Sequence, residues 1–98
     1  MMIVEKNIIF IAKKLIMEDG KQFFDNYFAT VKAVTNEAVV VEKSDGEQEN
    51  LPTGQEFYTK AEPGVYELEN GTIHEDPDYI AEFIIYESDA AYQKFNDD

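Results

Sequence analysis

Residues 26–51 read NYFATVKAVTNEAVVVEKSDGEQENL, and this stretch decides the fold. In its first run Tyr27, Ala29, Val31 and Ala33 fall on one face, and Phe28, Thr30, Lys32 and Val34 on the other. A period of two built from β-branched and aromatic residues predicts a strand. Thr35, Asn36 and Glu37 are short and polar, and asparagine tolerates the positive φ that a hairpin turn needs. The second run, Ala38 to Lys43, contains three consecutive valines. A run that is apolar on both faces predicts a central strand with a neighbour on each side. Asp45-Gly46 is a two-residue hairpin signal. The third run stays polar until Leu51, which predicts an edge strand, and Pro52 removes a donor and ends the pairing.

On the N-terminal side, residues 4 to 19 are expected to form a helix. Ile8, Ile11, Ala12 and Leu15 follow an i, i+3, i+4, i+7 stripe that Ile9 and Ile16 widen, and Gly20 stands where a helix-ending glycine belongs. The competing reading is a strand from Met2 to Ala12, because isoleucine-rich runs suit both. Lys21 to Asp25 are expected to form a short helical turn or a loop, with Phe23 and Phe24 plugging the core.

On the C-terminal side, Glu56 to Ala61 predicts a short strand with Phe57 inward. Val65 to Glu69 alternates, Asn70-Gly71 signals a second hairpin, and Thr72 to His74 returns. Tyr79 to Glu87 is read as a strand over 80–87 for its β-branched and aromatic content. A helix opened by Asp76 and Pro77 is the alternative. Ser88 is expected to cap a short helix containing Ala90, Ala91, Tyr92 and Phe95, with the last three residues fraying.

The expectation is therefore a mostly β, α+β domain. Its small antiparallel sheet would curl into a half-open barrel, with an N-terminal helix and a short C-terminal helix covering it. In length and meander this resembles an SH3-like barrel over about residues 26 to 87. The likeness is one of architecture and carries no function.

At 98 residues the chain makes one domain, 1–98. It buries roughly two-thirds of its unfolded surface, enough for a single modest core. Six tyrosines and seven phenylalanines argue against global disorder. With no cysteine, disulfide and thiol chemistry are excluded. The apolar run Ile8 to Ala12 is too short to span a membrane. Glu5 does not suit a signal peptide, so the protein is expected in the cytoplasm.

Charge is lopsided. Twenty-one acids against eight lysines give −13. Residues 1 to 25 hold four of each, so the whole excess belongs to residues 26 to 98. The absence of arginine, with this net charge, speaks against nucleic acid, and the charge speaks against anionic membranes. The partner chemistry that remains is a basic protein.

Candidate sites are few. His74, Glu75, Asp76 and Asp78 form the densest set of possible metal ligands, but the EF-hand spacing is not met and the single histidine has no companion. They are read as an exposed polar turn, and no metal or cofactor is expected. One histidine, two serines beside predicted turns and isolated glycines leave neither a nucleophile–base set nor a phosphate loop, so the protein is not expected to be an enzyme. The expected function is a non-catalytic, acidic protein-binding module, an inhibitor or immunity-type protein that neutralises a basic toxin or nuclease. Glu67, Glu69, Glu75, Asp76, Asp78, Glu82 and Glu87 would make its contacts, with Tyr66 and Tyr79 as aromatic anchors. The alternatives are a structural or regulatory subunit binding through a sheet edge, and a small-molecule or metal binder at the barrel mouth.

Overall fold

The computed structural model describes residues 3–95. The predicted fraying of residues 96–98, and Met2 as a strand start, lie outside them. The chain runs β1 (Ile8–Ile16), β2 (Gln22–Val34), β3 (Val39–Lys43), β4 (Gln48–Leu51), a 3₁₀ turn (Gln55–Phe57), β5 (Tyr58–Lys60), β6 (Val65–Glu67), β7 (Ile73–Glu75), β8 (Tyr79–Tyr86) and α1 (Asp89–Phe95). Six strands form one sheet in the order β4-β3-β2-β1-β8-β5, and β6-β7 form a separate hairpin.

The expected N-terminal helix is a strand. Ile8, Ile9, Ile11 and Ile16 satisfy a helical stripe, but β1 lies between β2 and β8 in the middle of the sheet. A central strand is covered on both faces, so it carries apolar residues at odd and even positions alike, and that pattern overlaps a helical one. Gly20, at φ 91°, does not cap a helix. It closes a hairpin in which Met17 N–H donates to Lys21 O at 2.9 Å and Gly20 N–H to Met17 O at 3.0 Å. Asp19-Gly20 is thus the same turn chemistry as Asp45-Gly46. Phe23 and Phe24 are also corrected. They are strand residues, 53% and 67% exposed, and plug nothing.

The predicted meander stands. β2 pairs with β3, and β3 with β4, all antiparallel, with β4 at the edge and ending at Leu51. A bulge between Val31 and Ala33 bends β2. The sheet is mixed, not antiparallel, because β1 pairs with β8 in parallel. Two acids fasten the ends of that seam. Asp78 N–H donates to Ile8 O at 2.8 Å, and its Oδ2 accepts Ile8 N–H at 2.8 Å. At the far end Glu87 N–H donates to Ile16 O at 2.9 Å, and its Oε2 accepts Glu18 N–H at 2.7 Å.

One face of the sheet carries the core: Ile9, Ile11, Ala29, Val31, Val39, Val41, Leu51, Tyr58, Ala81 and Phe83. Fully burying each of the larger aliphatics stabilises by about 1.5–3 kcal/mol. Leu51 belongs to one edge strand and Tyr58 to the other, yet both sit in this cluster, so the sheet curls. Tyr58 OH donates to Pro52 O and ties the two margins together without strand pairing, so the sheet is not a closed barrel. Burial pushes the Tyr58 phenol up to about 12, so it remains a donor at neutral pH.

The opposite face is covered piecemeal. Phe10 and Phe28 meet edge to face at 5.3 Å, and the β6-β7 hairpin lies over them. At the other end the expected C-terminal helix packs Tyr92 on Tyr86 at 5.1 Å and buries Ala91 fully. Ser88 Oγ accepts Ala91 N–H at 3.2 Å, the predicted cap.

Candidate protein-binding surface

The β6-β7 hairpin has three cross-strand pairs: Val65 with Glu75, Tyr66 with His74, and Glu67 with Ile73. Opposed residues share a face and successive residues alternate. Tyr66 stacks on Phe10 at 5.7 Å and His74 on Phe28 at 5.4 Å, so this pair points inward. Val65, Glu67, Ile73 and Glu75 therefore point out. All four are exposed, the two aliphatics by 67% and 59%. The hairpin base is held by Asp76, whose N–H donates to Gly64 O at 2.8 Å while its Oδ1 accepts Gly64 N–H at 2.7 Å. Asp76 has φ 52°, a region that aspartate visits more readily than most residues.

The structure divides the nine sequence-predicted contact residues. Glu67 and Glu75 share the outer hairpin face, and Glu69 stands exposed at its tip. Asp76, Asp78 and Glu87 are exposed, but their carboxylates hold backbone N–H groups of Gly64, Ile8 and Glu18. Glu82 lies on the outer face of β8, beside Ala12. Tyr66 is turned inward, and its hydroxyl donates to Glu62 O at 2.8 Å. Tyr79 is half-buried and packs against the core. Neither tyrosine stands out as an anchor. The exposed hydrophobic side chains on the hairpin are Val65 and Ile73, which the sequence reading passed over. The signal was available: in a hairpin closed by Asn70-Gly71, alternation sets Val65 and Ile73 on the face away from Tyr66 and His74.

The segment that carries this surface is strongly acidic, though Lys32 and Lys43 line the groove beside Ile73 and His74. Between residues 61 and 93 the sequence holds nine acids and no lysine. Among the described residues the ion pairs are Lys13–Glu49, Lys21–Asp19, Lys32–Glu42 and Lys43–Glu47, all using acids before residue 50.

A second polar cluster lies on the inner sheet face. Lys13 Nζ meets Glu49 Oε2 at 2.5 Å, and Tyr27 OH donates to Glu49 Oε1. The Lys43 and Lys13 ammonium groups lie 4.6 and 5.2 Å from the Tyr27 ring centre. Burial pushes the Tyr27 phenol up, and the hydrogen bond to Glu49 and nearby carboxylates push it further. Burial also acts to raise Glu49, but the hydrogen bonds from Lys13 and Tyr27 and the charges of Lys13 and Lys43 outweigh it, leaving its carboxyl below the usual range. Both shifts fix the resting state, a neutral phenol donating to a carboxylate, so neither group is poised for acid–base work at neutral pH. A groove of about 310 Å³ beside the cluster is walled by Leu51, Pro52, Phe57, Phe83 and Ile85.

The His74–Asp78 segment does not converge. His74 points in, Glu75 points out, Asp76 turns to Gly64 and Asp78 to Ile8. Among the described residues no group of three or more His, Asp or Glu could hold a metal ion. No described helix is long and apolar enough to cross a membrane. Neither a protein-family model, nor a curated protein, nor a solved structure matches this chain.

Proposed function

We propose that the protein is a non-catalytic binding module of the cytoplasm, an inhibitor or immunity-type protein whose β6-β7 hairpin docks on a basic protein such as a toxin or nuclease. One observation carries the reading: the outer hairpin face alternates Glu67 and Glu75 with exposed Val65 and Ile73. Acids alone need no explanation beyond solubility. Exposed β-branched residues set between them do, because this mixture suits a recess with an apolar floor and a cationic rim. Charge would steer the approach and the aliphatics would slow departure. The body behind the hairpin is read as a half-open barrel, SH3-like in its curl, with Leu51 and Tyr58 in one core supporting that description and the parallel β1-β8 seam particular to this chain.

The test is capture from a native lysate followed by binding kinetics against the captured protein. With a basic partner, the on-rate should fall steeply with salt and drop about tenfold in Glu67→Lys/Glu75→Lys. Ile73→Ala should instead raise the off-rate by about tenfold. None of these exposed changes should move the melting temperature much. An acidic or neutral partner, or an on-rate indifferent to the double reversal, refutes the proposal.

A further inference from the structure

Among the described residues, half of β2 pairs with no strand on one side. β2 pairs with β1 from Gln22 to Thr30, but with β3 only from Ala29 onward. The backbone direction along the open stretch follows from Val31, whose N–H donates to Asn7 O and whose C=O accepts Lys6 N–H, both at 2.8 Å. Val31 thus faces β1. By alternation so do Tyr27, Asp25 and Phe23, while Gln22, Phe24 and Asn26 turn their N–H and C=O groups to the open side. Among the described residues, no backbone group pairs with them on that side. Phe23 and Phe24 flank this edge on opposite faces of the sheet, both more than half exposed. An exposed strand edge bearing aromatics is a template for another strand, and folds normally blunt it.

We propose that the occupant is a second copy of this chain, pairing antiparallel along Gln22–Asn26 about a two-fold axis at Phe24. Phe24 then faces itself, Gln22 faces Asn26, Phe23 faces Asp25, and Lys21 faces Tyr27 of the second copy. Every outward backbone group of Gln22, Phe24 and Asn26 finds a partner, and two half-exposed phenylalanines meet. Charge selects this place. A chain of −13 repels its copy, so a self-contact is opposed least where acids are few, and Gln22–Asn26 carries Asp25 as its one charge with Lys21 beside it. Lys21 lies diagonal to Asp25 of the second copy, so the contact has opposite charges in reach. Neighbouring registers are poorer. Centring on Asp25 sets like charges opposite each other. Centring on Phe23 leaves the outward groups of Asn26 unused. Centring on Asn26 drives Gln22 onto Thr30, which β3 already occupies. The hairpin tip adjoins this edge, since Leu68, Glu69 and Asn70 line a groove with Phe24, Asp25 and Asn26, but Asn26→Pro tests the self-pairing and Ile73→Ala tests the outer hairpin face, so either proposal can fail alone.

Light scattering over a range of concentrations reads the association. Mass should rise toward twice 11.3 kDa. Asn26→Pro removes an outward donor and leaves the β1 ladder alone, so it should weaken dimerisation about tenfold or more. Asn50→Pro, on the free edge of β4, should not. Phe24→Cys gives an independent readout in a chain without cysteine. Opposed residues of this type sit about 5.5 Å apart at Cα, within disulfide reach, so mild oxidation should yield a covalent dimer, and Asn50→Cys should remain monomeric. A protein that stays monomeric at every concentration overturns the proposal. So does loss of the dimer in Asn50→Pro, or equal crosslinking of both cysteine variants. If the wild type is monomeric and Asn26→Pro weakens binding to a different protein, the edge takes that protein's extended segment and the self-pairing is refuted.

Discussion

Glu49→Gln should destabilise the protein by about 2 kcal/mol at neutral pH, a value bracketed by two limits. Removing one partner of an exposed pair costs about 0–1 kcal/mol, and of a fully buried pair about 3–5. Lys13 and Glu49 lie between, with side chains 18% and 27% exposed. Glutamine keeps the shape and still offers Tyr27 an acceptor, so the loss falls on the Lys13 ammonium, which is left on the inner sheet face without its counter-charge. The Tyr27 ring compensates by no more than about 1 kcal/mol. For a domain of this size about 2 kcal/mol corresponds to a fall of roughly 10 °C in melting temperature, readable by circular dichroism. Lys13→Met/Glu49→Gln removes the orphaned ammonium as well and should recover about half of that fall. The pH dependence has a definite sign. The folded carboxyl is held below its ordinary value of 4.5, so its contribution is fully present above that pH and is lost as pH falls through the lowered folded value. The gap between wild type and Glu49→Gln should thus be constant from neutral to mildly acid pH and close below it. A gap of under about 2 °C at neutral pH, or one that persists undiminished in strong acid, would refute the assignment of a working ion pair.

Ile11→Ala, at a side chain with no solvent exposure, should cost about 2–5 kcal/mol, a large share of a stability near 5–15 kcal/mol; a urea midpoint close to wild type would show that the core is placed wrongly. Asp76→Ala should cost about 1–2 kcal/mol, because it loses the Gly64 N–H acceptor while keeping a positive φ, whereas Asp76→Asn should stay near wild type; hydrogen exchange at the Gly64 amide distinguishes the two. Raising sodium chloride from low to physiological strength should raise the melting temperature, since screening relieves the repulsion of −13; a flat response would mean that the acids are already well dispersed.

Local chemistry alone determined the meander and its turns. Val39 to Val41, apolar on both faces, demanded a neighbour on each side, and Asp45-Gly46 and Asn70-Gly71 placed hairpins because turn geometry depends on a few adjacent residues. Ser88 and the helix behind it were legible for the same reason. The net charge and its confinement to residues 26–98 also follow from the sequence. Long-range partners were not legible. Ile8 to Ile16 fits a helix and a central strand equally by period, and only the presence of β2 and β8 on either side decides between them. The parallel seam joins residues about seventy positions apart through Asp78 and Glu87, whose role as register clamps has no local signature. Phe23 and Phe24 read as core because hydrophobicity records a preference for burial without saying whether the fold supplies a cover. On the hairpin, composition favoured Tyr66, but Phe10 beneath it turned that ring inward and left Val65 and Ile73 facing solvent. Sequence sets each segment's preferences. Which face meets solvent depends on what lies beneath, and only the tertiary structure supplies that.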